Sequence, residues 1–154
     1  MNNSILTRKK DTVNKVSLAL SNATAPLNDY YNFFPEDIKA GLISFKERSI
    51  DIKSAYFICA SKVINSISHV ESYLSSLPSL MIDADRLGDT HTVLFCDQVL
   101  LEFGELRKAL NTFTAQSEKI LSTVPPSYSG LITVLSEFRV KLNKFIQYIK
   151  ALEC

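Results

Sequence analysis

Residues 89–126 read DTHTVLFCDQVLLEFGELRKALNTFTAQSEKILSTVPP. Within this stretch Cys96, Val99, Phe103, Leu106, Leu110, Phe113, Ser117, Ile120 and Val124 recur at alternating gaps of three and four residues, with Ser117 the one polar member. Seven-residue apolar repetition of this kind draws one stripe along one α-helix, and a stripe needs partners to cover it. Val124-Pro125-Pro126 stops the helix, because consecutive prolines cannot continue it, and Asp89 or Thr90 caps its start.

The flanking segments repeat the pattern. Leu6, Val13, Val16, Leu20, Ala23 and Leu27 form the stripe of a first helix, which opens at Asn3 or Ser4 and which Pro26 ends or kinks. Tyr30, Tyr31, Phe33 and Phe34 follow as a short aromatic helical segment that plugs one bundle end. A second helix starts at Pro35, with Glu36 and Asp37 in its first turn, and is closed by Pro78. Its stripe runs through Ile38, Leu42, Phe45, Ser49, Ile52, Tyr56, Cys59, Val63, Ile67, Val70, Leu74 and Leu77. Ile43, Ile50, Phe57 and Ile64 make a second row beside it, which predicts two neighbours for this helix. A connector over 79–89 has enough apolar residues (Leu80, Met81, Ile82, Leu87) for a short helix. Ser127 or Ser129 caps the last helix, striped by Leu131, Leu135, Phe138, Leu142, Phe145, Ile149 and Leu152.

Short connectors make successive helices antiparallel. The predicted fold is therefore all-α: an elongated, antiparallel up-down bundle of four helices, about 4–25, 35–77, 89–123 and 129–152, with the aromatic segment near 27–34, in a single domain over 1–154. Composition agrees. Hydrophobic residues make up 46% of the chain and charged residues 21%, enough for a core, while four glycines and five prolines leave few sharp turns. Charge supports the same topology. Residues 61–105 carry seven Asp/Glu against two Lys/Arg, and this acidic segment forms the bundle end at which Arg8, Lys9, Lys10 and Lys15, with Lys141, Lys144 and Lys150, also lie.

Function is read largely by elimination. A net charge of +1 gives no pull toward nucleic acid. Neither His69 nor His91 follows a glutamate three residues earlier, as a di-iron bundle requires, so no metal and no cofactor is expected. The run Ser68-His69-Val70-Glu71 has the residue types of a nucleophile and base, but adjacent helical residues point in different directions. The isolated glycines offer no phosphate loop, and no enzymatic activity is expected. Three widely spaced cysteines suggest neither a disulfide framework nor zinc, and with no apolar leader or membrane-length run the expected home is cytoplasmic or otherwise intracellular.

One feature exceeds what a bundle wall needs. Val93, Leu94, Phe95, Leu100 and Leu101 wrap apolar surface round most of the third helix's first turns. A helix apolar nearly all round must be covered nearly all round. These residues, with Tyr30 and Tyr31, are the candidate interface for another protein, either a heterologous partner or a second copy, in an adaptor, assembly subunit or partner-masking binder. The alternative is a membrane-associated helical rod, of the curvature-binding type or an amphipathic-helix toxin component. Near-neutral charge disfavours it.

Overall fold

The computed structural model describes residues 2–34, 49–124 and 126–153. Among these, five helices follow one another: α1 (Asn2–Phe33), α2 (Ser49–Leu74), α3 (Leu77–Arg86), α4 (Thr90–Leu121) and α5 (Tyr128–Leu152). The protein is an all-α helical bundle. The four long helices form a ring in which α1 packs on α2, α2 on α4, α4 on α5 and α5 back on α1, while α3 closes one end against α4 and α1.

Side-chain pairings give each direction. Tyr30 of α1 meets Tyr56 of α2, and Lys15 meets Tyr73. Tyr56 reaches Glu118 of α4, and Arg107 reaches back to Glu71. Phe113 stacks on Phe138 of α5 at 5.0 Å, whereas Phe103 meets Phe145. In each pair one number rises as the other falls, so neighbours run antiparallel. At ~1.5 Å per residue the 32 residues of α1 or of α4 span about 48 Å, which makes the bundle a rod.

The ladder of α4 is buried from Cys96 through Ser117. Beyond Ser117 the buried position is Leu121; Ile120 is half-buried and Val124, past the helix end, is exposed. The cause is arithmetic. A straight helix turns every 3.6 residues, so a strict seven-residue repeat drifts off the buried line within a few heptads. At the start of α1, Ile5 is buried and Leu6 exposed, which shifts that stripe by one residue from the sequence expectation.

Two proline expectations are corrected. α1 runs through Pro26 to Phe33, so Pro26 does not end it, and Tyr30, Tyr31 and Phe33 belong to this helix rather than to a separate segment. Pro26 is buried, and Ala23, Leu27 and Tyr30 bury one continuous face on both sides of it; that tertiary burial outweighs an interior-proline cost of ~3 kcal/mol. Pro78 does not end α2 but lies in the first turn of α3, where its missing N–H has no helical partner to lose. α2 ends earlier, at Leu74. There Ser75 Oγ donates to the Ser72 carbonyl and Ser76 Oγ to the Tyr73 carbonyl, in competition with helical bonding. Burial carries across the break through Leu74, Leu77, Leu80 and Ala84.

The caps follow sequence chemistry. The Asp89 carboxylate accepts from Thr92 N at 3.1 Å and from Thr92 Oγ1 at 2.7 Å, which holds its carboxyl below the usual range. Ser127 Oγ accepts from Gly130 N at the start of α5. The predicted second helix over 35–48 lies outside the described residues, as do Pro125 and Cys154. Its described second row, Phe57 and Ile64, is exposed. α2 does touch two neighbours, α1 and α4, but it does so through the buried stripe, with Tyr56 in contact with both.

Candidate functional site

The seven residues singled out by sequence separate into two groups. Tyr30 is 2% exposed and packs in an aromatic cluster with Phe34 and Tyr56, so it belongs to the core and is closed to a partner. Tyr31 is half-buried beneath the Arg139 guanidinium, 5.0 Å from its ring centroid. Val93, Phe95 and Leu100 are half-buried against the core, and Lys9 Nζ sits 4.9 Å from the Phe95 centroid. Leu94 and Leu101 remain. They are 66% and 62% exposed and stand one heptad apart on the outward face of α4.

That face is defined by its neighbours. One flank of α4 turns to α2, where Arg107 meets Glu71 at 3.8 Å. The other turns to α5, where Phe113 and Phe138 stack. Between these flanks Leu94, Asp97, Leu101, Gly104 and Lys108 are all exposed, and helical spacing places them on one surface.

Beside this face the seam between α4 and α5 opens into a groove of about 830 Å3. Leu106, Phe113, Phe138 and Phe145 form its buried floor, and Leu101 stands on its rim. Val140 of α5, 67% exposed, stands on the opposite rim. Sequence reasoning missed Val140. The one available signal was an apolar residue between Arg139 and Lys141, off the α5 stripe. Glu102, Glu105, Glu137, Lys108, Lys141 and Lys144 also line the groove, three of each sign, so its walls carry no net charge.

The basic start of α1 is engaged within the bundle. Arg8 Nη1 donates to Asp83 Oδ2 at 2.9 Å, at the acidic end where charge patterning had placed it. Behind the α4 face, burial raises the Cys96 thiol above its ordinary value, so it stays protonated at neutral pH. His69 and His91 are both exposed, and among the described residues no three His, Cys, Asp or Glu side chains gather to hold a metal. No helix among them is long and apolar enough to cross a membrane.

The chain matches no protein-family model, no curated protein and no solved structure in comparisons with each.

Proposed function

We propose that this protein is a non-enzymatic protein–protein interaction module, and that its working surface is the outward face of α4 with the adjoining α4–α5 groove. The observation that carries this reading is the exposure of Leu94 and Leu101 on a helix whose other apolar residues around them are buried or half-buried by the bundle. Isolated surface leucines are ordinary, but these two share a face one heptad apart and adjoin the rim of an apolar-floored groove. A helix presenting apolar residues at i, i+3, i+4 and i+7 is the partner geometry such a surface accepts.

The membrane reading has less support. Arg8 and Lys9 of the basic N-terminal run face Asp83 and Phe95 within the bundle, and a net charge of +1 gives little pull toward an anionic surface.

Site-specific photo-crosslinking in the protein's native cells tests the proposal. A benzophenone side chain placed at position 94 or 101 is expected to give a covalent protein adduct. The same group at position 18, equally exposed on α1, is expected to give none. Equal labelling at all three positions, or no adduct at 94 and 101, would overturn the proposal. Leu94→Ser with Leu101→Ser should together change stability by no more than ~1 kcal/mol, because neither side chain supports the core.

A further inference from the structure

Three glycines fall among the described residues, and two have reasons inside the chain. Gly88 adopts φ +73°, which side chains resist, in the turn before α4. A Cβ on Gly130 would meet Ser127 Oγ at 3.1 Å and Ile120 Cδ1 at 3.2 Å. Gly104 has neither reason. Its backbone is ordinary helix, and a Cβ there would meet nothing within 4 Å. A glycine in a helix interior costs ~1 kcal/mol relative to alanine, and none of the described residues accounts for one mid-way along a 32-residue helix, where it leaves room for a close approach to the backbone.

The residues around it say what approaches. Leu94, Asp97, Leu101, Gly104 and Lys108 share the exposed face. Consider a second α4 laid antiparallel on the first, with a two-fold axis between residues 101 and 104. In that register Leu101 falls over the partner's Gly104, and Asp97 falls opposite the partner's Lys108. The two-fold repeats both contacts. One register therefore seats an exposed apolar knob on the one residue without a side chain, and it also pairs opposite charges. Both charges are available. Among the described residues Asp97 makes no ion pair, and Lys108 reaches Glu105 alone, at 3.9 Å, with both side chains largely in solvent. In the same register Leu94 falls opposite the partner's Asn111, one turn beyond Lys108.

We infer that the occupant of the α4 face is a second copy of this chain, joined as an antiparallel two-fold dimer in which Leu101 packs on Gly104 and Asp97 pairs with Lys108 across the interface. This rests on the proposal that the α4 face is an interaction surface, and it names the partner. Isologous pairing of one patch with itself is the commonest arrangement of soluble oligomers. A contact made mainly by one helix pair falls below the ~1,200 Å2 of a standard interface, so the dimer should be weak and concentration-dependent.

Sedimentation velocity on the full chain, from low micromolar to near-millimolar concentration, provides the test. The native chain should shift from monomer to dimer over this range. Asp97→Lys and Lys108→Asp each place like charges at both contacts and should weaken self-association about tenfold or more. An equimolar mixture of these two variants should form the mixed dimer, since opposite charges then meet at both contacts. The double variant Asp97→Lys with Lys108→Asp should recover self-association. Gly104→Leu should abolish the dimer while melting no lower than the native chain, because the monomer has room for the side chain. A native chain that stays monomeric throughout, or a dimer indifferent to the charge reversals and to Gly104→Leu, would overturn the inference. Adducts to a different protein from positions 94 and 101, with a strictly monomeric chain, would overturn the dimer and leave the interaction surface standing. No adducts and no dimer would remove both.

Discussion

Cys59 and Tyr30 show how a single buried position makes stability depend on pH. Burial, with Asp29 adding to it, pushes the Cys59 thiol up to about 12 from an ordinary 9.0. Burial also raises the Tyr30 hydroxyl well above its ordinary 10.0. Both groups are neutral below their unfolded values, so neither affects stability there. Above about pH 9 the unfolded chain loses the thiol proton while the fold keeps it, and deprotonation then favours unfolding up to about pH 12. Denaturant midpoints should therefore be flat with respect to these groups from neutral pH to about 9 and should fall beyond it. Cys59→Ala should blunt the first part of the fall, and an unchanged alkaline profile in that variant would count against thiol burial as its cause. The residue scale was partly legible in advance. Cys59 and Cys96 stand on apolar stripes and were expected to be buried, as they are. Tyr30 stands in an aromatic run that suits a core or a surface equally, and only its packing against Phe34 and Tyr56 assigns it to the core.

At the scale of the element, caps and periodicity were readable and breaks were not. Asp89 and Ser127 cap α4 and α5 because short side-chain oxygens satisfy amide groups that the first turn leaves unpaired. Ser127→Ala removes the bond to Gly130 N and should cost about 1 kcal/mol, seen as a fall in Tm of a few degrees in thermal unfolding. A fall much larger than that would mean Ser127 supports more than the first turn of α5. Proline was less readable. Pro26 and Pro78 carry the same local rule, yet one is embedded in α1 and the other begins α3. Buried faces continue past both, and what differs is the chain before each: Ser75 and Ser76 bond the Ser72 and Tyr73 carbonyls and the helix breaks ahead of Pro78, whereas no such break precedes Pro26. For the exposed row Phe57 and Ile64, seven-residue spacing defines a row but not whether anything lies against it.

The whole molecule is a ring of antiparallel helices closed at one end by α3. The Arg8–Asp83 pair joins α1 to α3 at 2.9 Å with both side chains more than one-third exposed. A double-mutant cycle on the two should give a coupling of no more than ~1 kcal/mol that falls as salt rises. A coupling well above ~1 kcal/mol, or one that does not fall with salt, would mean the pair is more buried than described. Self-association through α4 belongs to this scale as well, because it depends on which face the ring leaves uncovered.

Sequence alone determined that the protein is all-α, that four long helices carry it, most of the stripes those helices bury, and that neighbours alternate in direction; it did not determine where α1 and α2 end. These follow from local spacing, and spacing at three and four residues has one physical solution. The tertiary structure decided which apolar residues outside the stripes stay exposed. Val93, Leu94, Phe95, Leu100 and Leu101 look alike in the chain, but α2, α3 and α5 cover some positions round α4 and leave Leu94 and Leu101 in solvent. Coverage depends on the distance and direction of neighbouring helices, which a single helix's sequence does not carry. The same holds for Gly104, ordinary as a letter and unexplained only once the space above it is seen to be empty.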